Sequence, residues 1–318
     1  MAILTGEFLT FSAVGIREDL SDIIYNIAPT QTPFITSIGK TKADQTYHEW
    51  QTDALAAADT ANRHLQGDDL GTTYEPATAT TRIGNQTQIS RKTVAISGTL
   101  DAVKKAGRGK ETAYQVAKKL KELKRDMEAI LCNNQQRSAG SSTSAPQLAG
   151  LESWVATNNS SGVGGSAPAT TDGLALRTDG TQRAFTEALL KTVLGSVYDN
   201  SGEEPDMLML GRFNKQVAST FAGNATRMNE ADTGKLFASV DVYEYDFGTI
   251  KIVPNRFQRS RSAHVVNSDL WATAFLRPVK IEDMAKTGDA TKKMLIAEYT
   301  LESRNQAGSG IVADLTTS

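Results

Sequence analysis

The chain has 318 residues, 39% of them hydrophobic and 22% charged, with a formal net charge of −2. That composition supplies a sizeable core and excludes wholesale disorder, and the charge balance excludes the global basic field that dominates nucleic-acid binding. A single cysteine, Cys132, excludes an intrachain disulfide and fits a reducing compartment. The length favours one large domain or two intertwined ones. No apolar run approaches bilayer-spanning length, and the opening "MAILTGEFLTFSAVGIREDL" carries Glu7 and no basic region of the secretory kind. A soluble, intracellularly made protein is expected.

From Arg17 to Ile27, "REDLSDIIYNI" places Leu20, Ile23, Ile24 and Ile27 on one helical face, and Pro29 ends that helix. The next stretch, "NIAPTQTPFITSIG", reads as a stiff extended arm, with Pro33 as a second block to helix and Phe34, Ile35 and Ile38 lacking any local partner. Thr46 to Thr99 is Thr- and Ala-rich, with strand-like flanks around a polar, Gly-punctuated middle. It reads as a long hairpin-like excursion with a flexible tip, far beyond ordinary loop length.

The strongest local signal follows in "KETAYQVAKKLKELKRDMEAILCNNQQ". Ala113, Val116, Leu120, Leu123, Met127 and Ile130 recur at steps of three and four, one apolar stripe along a helix of about 25 residues and about 40 Å. Lys118 to Glu122 and Lys124 to Glu128 have the spacing for pairs on its outer face. A buried packing strut with a solvated basic edge is the plain reading, ahead of a nucleic-acid helix.

"RSAGSSTSAPQ" ends the rod, and the low-complexity "TNNSSGVGGSAPATTDG", Thr157 to Gly173, reads as a mobile surface loop. "TQRAFTEALLKTVLGSVYDN" is helical, "MLMLG" is a buried strand and "RFNKQVASTFAG" is a second helix, so that Leu148 to Asp269 forms a mixed α/β unit. Strands dominate thereafter. "VDVYEYDFGTIKIVPN" reads as a hairpin turning at Asp246 to Gly248, and "KKMLIAEYTLESRN" sets Leu295, Ala297, Tyr299 and Leu301 on one face. The fold class is α+β, with long excursions from a compact middle and no internal repeat.

Catalytic patterns are missing. His48, His64 and His264 lie far apart, with no metal-ligand spacing. "GRGKET" lacks the first glycine of a phosphate loop and has Glu111 where Ser or Thr would hold magnesium, so a helix N-terminal turn is the better reading. Gly162, Gly164 and Gly165 belong to low-complexity sequence rather than a dinucleotide turn. Cys132 suits packing better than nucleophilic chemistry. The Asn-X-Ser/Thr triplets at Asn85, Asn158, Asn159 and Asn224 have no use in a non-secreted chain. In "RFQRSRS", Arg256, Arg259 and Arg261 read as a solvated loop, with a phosphate contact the lesser alternative. No catalytic residue, cofactor or metal site is expected, and the protein is expected to act by shape rather than as an enzyme.

"LRPVKIEDMAKTGDATKKMLIAEYTLESRNQAGSG", Leu276 to Gly310, closely resembles the C-terminal signature of tailed-phage major head proteins; "AKTGD" followed by "EYTLESRN" is its specific part. With "REDLSDIIYNIAPTQTPFITSIGK" at the other end, the chain resembles the phage SU-ten-type major capsid proteins, in order along essentially its whole length. The resemblance implies the Hong Kong-phage-like major capsid fold. An N-terminal arm would cover 1–45, and an extended loop 46–98. A peripheral domain would cover 99–147 and 270–318, with its spine helix at about Lys110 to Gln136, and an axial domain 148–269.

It also implies a major capsid protein that self-assembles as a homo-oligomer, in pentamers and hexamers of an icosahedral head around double-stranded DNA. Binding would not be sequence-specific, and the head would form in the host bacterial cytoplasm and persist in the virion. A portal protein and a separate scaffold are implied partners, a decoration protein is left open, and no membrane is involved. Pro29, Pro33, Phe34, Ile35 and Ile38 in the arm, and His64, Asp68 and Asp69 at the loop tip, are the expected inter-subunit contacts. The alternative is an encapsulin-type compartment of the same fold.

Overall fold

The computed structural model describes residues 31–67, 74, 77–105, 109–221 and 242–318. Within them the β-branched and aromatic runs pair into three sheets. In chain order the elements begin with α1 (Pro33–Ser37), β1 (Gly39–Lys42), β2 (Tyr47–Thr52), β3 (Thr81–Gln86), β4 (Gln88–Ser97), α2 (Gly98–Ala102) and α3 (Glu111–Leu131). They continue through α4 (Leu151–Trp154), β5 (Asn158–Ser160), α5 (Glu187–Ser201), β6 (Met207–Leu210), α6 (Arg212–Ala218), β7 (Val242–Tyr245) and β8 (Gly248–Pro254). The last are β9 (Ala263–Val266), β10 (Trp271–Asp283), β11 (Ala290–Ser303) and β12 (Gly310–Val312).

The first sheet has the order β1-β10-β11-β4, with β1 parallel to β10 and the other pairs antiparallel. Helix α3 lies against β4 and β11. Between them sits a core of Leu123, Met127, Leu131, Trp154, Trp271, Leu295, Tyr299 and Leu301. The predicted face of β11 is correct: Leu295, Ala297, Tyr299 and Leu301 are all buried. The second sheet, β5-β12-β9-β6-β8-β7, is mixed, and carries α5 over a second core of Leu190, Val193, Leu194, Leu208, Leu210, Ile250 and Val265. Helix α5 starts at the Thr186 side chain, which accepts from the Leu189 N–H, and stops at Gly202 in the left-handed conformation. The hairpin β7–β8 turns where the sequence placed it. The third sheet is the two-stranded ribbon β2–β3 alone.

Several expectations change. Pro33 begins α1 instead of an extended path, because a proline at the first helical position gives up no bonded N–H. Phe34, Ile35 and Ile38 are 0%, 5% and 4% exposed, sealed in the chain's own core with α3, so their burial partner is internal. Helix α3 has 21 residues, about 30 Å. Its stripe is buried only in the C-terminal half. Ala113 and Leu120 are exposed, and Leu131 takes up the core position expected of Ile130. Glu122 pairs with Lys119 rather than Lys118, and Glu128 turns inward.

Strand membership also departs from the expected segments. The ribbon ends at Gln86, and β4 belongs to the first sheet; β12 joins the second sheet, between β5 and β9. Residues 157–173 pack instead of floating, through β5 and the bridge from Ser166 to Thr178. The helix expected over Arg17 to Ile27, together with Pro29, Asp68 and Asp69, lies outside the described residues.

Candidate functional site

The structure roots each projecting segment in the body through a buried polar group. Glu128, on the inward side of α3, is fully buried. Its carboxylate accepts from the Phe34 N–H and the Ile35 N–H, each at 2.8 Å, and from Asn255 Nδ2 at 2.8 Å. The first two donors are N–H groups at the start of α1, which have no partner inside their own helix. Burial pushes the Glu128 carboxyl above its ordinary range, and the Ile35, Phe34 and Asn255 donors offset that only in part. The apolar side chains of 34, 35 and 38 and this carboxylate together fix where the chain emerges from residues 1–30.

The ribbon β2–β3 is rooted on both strands. Trp50 Nε1 donates to the Ser303 carbonyl at 2.7 Å, and its ring lies 5.6 Å from that of Trp154. Glu302 accepts from Thr41 Oγ1 at 2.8 Å and from Arg304 Nε at 3.1 Å, and lies 3.3 Å from His48 Nε2. Burial raises the Glu302 pKa, but the His48, Thr41 and Arg304 contacts outweigh it and hold the group at about 2. On β3, Asn85 donates to the Ala149 and Leu301 carbonyls and accepts from the Ala149 N–H at 2.8 Å. Arg137 donates to the Tyr47 hydroxyl at 2.7 Å and lies over its ring.

Beyond that root the described ribbon tip makes no tertiary hydrogen bond. Residues 53–67 are exposed throughout; Leu55 is 100%, Leu65 81% and Tyr74 74% exposed. His64, an expected contact residue, is exposed, and its ring nitrogen lies 3.0 Å from Asn62 Oδ1 of its own loop.

Of the arginines in "RFQRSRS", Arg256 is exposed as expected, whereas Arg259 and Arg261 are half-buried and drawn into internal ion pairs. Arg259 pairs with Glu152 at 2.6 Å and also with Asp179; Arg261 pairs with Asp179 at 3.1 Å and Asp314 at 2.7 Å. Glu152 is fully buried, with His264 Nε2 at 3.2 Å. Burial raises its pKa, and His264 and Arg259 more than reverse that, to about 2. Asp314 also accepts from the Gly162 and Gly180 N–H groups. A Cβ at Gly162 would stand 2.1 Å from the Thr181 carbonyl, so this approach needs glycine. The network ties segment 157–183 and the C-terminal strand to the second sheet. Its only sequence signal was the run of closely spaced arginines.

Among the described residues no three His, Cys, Asp or Glu side chains stand together as metal ligands. A shallow depression of about 310 Å³ is lined by Ala129, Ile130, Asn133, Phe257, Gln258 and Arg259, with Arg259 already spent on two carboxylates. Cys132 is buried, with its thiol pushed up by burial.

Two mixed sheets, a long helix and a projecting ribbon make up a fold that recurs in solved capsid structures. The cyanophage A-1(L) capsid asymmetric unit superposes with a TM-score of 0.65 at 13% identity, covering 98% of this chain and 99% of that one. A chain of Gordonia phage Cozz superposes at 0.62 and 11% identity, covering 99% and 98%. The capsid of a native GTA particle gives 0.61 at 11% identity, covering 96% and 98%. At such identities the likeness is one of fold. In sequence, the chain is 29% identical over 344 residues to the major capsid protein of Escherichia phage Phieco32, covering 96% of both. The family model of the SU10 major capsid protein matches residues 3–316. The chain belongs to that family and is a major capsid protein of a tailed bacteriophage.

Proposed function

We propose that this subunit assembles into pentamers and hexamers of an icosahedral head that encloses double-stranded DNA, built in the host cytoplasm and retained in the virion. The observation that carries the proposal is the ribbon β2–β3. It is firmly rooted by Trp50, Asn85 and the His48–Glu302 contact, yet exposes Leu55, Leu65 and Tyr74 among the described residues. A rooted, largely polar projection that carries a few exposed apolar side chains gains their burial from a neighbour, and many modest contacts of this kind add up in a closed shell.

In domain terms, residues 1–45 act as the arm, the ribbon as the extended loop and α3 as the spine. The first sheet forms the peripheral domain and the second sheet with α5 the axial domain. His64, with Asp68 and Asp69, belongs to the contact surface of the tip; Pro29 limits the freedom of the arm, and Pro33 starts the helix that fixes its base. A portal protein and a separate scaffold are the expected partners, with a decoration protein as an optional addition, and the chain has a structural rather than an enzymatic role.

The test replaces residues 54–79 by a short Gly/Ser turn. The expected result is an unchanged thermal midpoint, because the tip makes no described tertiary hydrogen bond, together with loss of shells in negative-stain images and sedimentation velocity. Normal shells from the shortened chain would refute the proposal.

A further inference from the structure

Charge is unevenly distributed along the chain. Residues 98–125 hold nine lysines and arginines against three acidic residues, which leaves 25 basic against 33 acidic residues elsewhere. In the fold the described residues of this stretch form one module, α2 and most of α3, with α2 packed on α3 and both against β4. Lys118, Lys121 and Lys124 project from α3 and are exposed, in a row that advances about 4.5 Å per step. Lys104 and Lys110 are exposed just before the helix.

The acidic groups that could neutralise this row are engaged elsewhere. Glu122 holds Lys119 at 2.7 Å, Asp126 holds Lys92 at 2.5 Å, and Glu128 faces the core with Phe34 and Ile35. Among the described residues no carboxylate stands within ion-pair distance of Lys118, Lys121 or Lys124. Like charges three and four residues apart on a helix each destabilise it by a few tenths of a kcal/mol. Glu122 and Glu128 feel the charges of Lys118 and Lys124 only beyond ion-pair distance, so the row is partly compensated and works against the helix unless a polyanion covers it.

We infer that this face of α2 and α3 lies against the phosphate backbone of the enclosed duplex DNA. The inference rests on the proposed enclosure of DNA and names the surface that does the contacting. A nucleic acid is favoured over an acidic protein by the residue types. The row itself consists of lysines, of which protein interfaces are depleted; the exposed aliphatics of the module are Leu120 beside it and Leu100 and Val103 at α2. A lysine ammonium is a point charge on a flexible stem, suited to sequence-independent phosphate contact. The acidic excess over the rest of the chain keeps the hold local, so the wall touches DNA along one face without a strong overall attraction.

The experiment measures binding of the full-length, unassembled chain to a random-sequence DNA duplex by fluorescence anisotropy across a salt series. The triple variant K118Q/K121Q/K124Q should flatten the plot of log K against log salt by about 2.7, or about 0.9 for each phosphate that one of these lysines neutralises. K118R/K121R/K124R should keep the wild-type slope, and R91Q, on the opposite face of β4, should leave it unchanged. If the triple variant folds poorly, the single variant K121Q should lower the slope by about 0.9.

An unchanged slope in the glutamine variants, or a wild-type chain that does not bind the duplex, overturns the inference. Unchanged duplex binding without shell formation also overturns it, and gives the face to a protein contact. Imaging the wild-type chain after co-expression with its scaffold separates the two levels: no shells would sink the enclosure reading itself, while shells with an unchanged slope sink only the assignment of this face.

Discussion

Replacing Glu128 by alanine should free the segment 31–38 from the body without unfolding the rest. The substitution removes three charge-assisted hydrogen bonds, two of them to N–H groups at the start of α1. Orphaning buried donors costs about 1–3 kcal/mol each, and removing a buried carboxylate returns part of its desolvation cost. A net loss of about 3 kcal/mol follows, roughly a 100-fold increase in local opening. Hydrogen exchange of the peptide spanning 31–38 is the assay, with exchange across β10 and β11 as the internal control. Glu128→Gln, which keeps one acceptor oxygen, should fall between the two. Unchanged protection of the Phe34 and Ile35 amides in Glu128→Ala would refute the reasoning, because apolar burial alone would then hold the segment.

Arg261→Ala should destabilise the fold by about 3–5 kcal/mol in urea titrations, since it leaves fully buried Asp314 without its cation. Asp314→Asn should cost less, because an amide oxygen can still accept from Gly162 or Gly180. Glu152 and Glu302 sit at about 2 in the folded chain, below the ordinary carboxyl value of 4.5. Their stabilisation is present above about pH 4.5 and is lost as pH falls toward 2, so unfolding free energy measured at pH 7, 4.5 and 3 should drop over the last step, and drop less in Glu302→Gln. Glu128 carries the opposite sign: its raised pKa means the folded state holds its proton more tightly, so that its contribution declines as pH rises through its folded value.

Periodicity made the framework legible. The four apolar residues of β11, the hairpin turn at Asp246, the buried strand β6 and the existence of α3 all follow from spacings within one element. The C-terminal signature and the order of segments carried the family, because they resemble it along the whole chain. What local spacing could not carry was partnership across long separations. Glu128 stands four residues after Lys124, the pattern of a surface pair, yet its donors lie more than 90 positions away. Asn85 and Asn158 match a glycosylation pattern but are buried among backbone carbonyls. The Gly/Ser-rich run from Thr157 looks like linker because its composition suits one. It is ordered by Asp314, more than 150 residues on, which needs glycines to come close.

These misreadings share a physical cause. A subunit that reaches out to neighbours cannot root its projections by wrapping them in apolar side chains along their length, because the surface it sends out must stay available. The root therefore has to be short and directional. A buried polar group supplies both, since it fixes position through hydrogen-bond geometry and carries a heavy cost if the partner leaves. Glu128 does this for α1, Asn85 and the Glu302 contact with His48 for the ribbon, and Asp314 with Arg261 for segment 157–183. In each case the anchor belongs to a body element, or bridges to one, and the segment it holds comes from a distant part of the chain. The exposed tip beyond the ribbon root can then be long and polar without its origin becoming uncertain. That arrangement keeps the direction of each projection defined before any neighbour arrives, and lowers the ordering cost when one does.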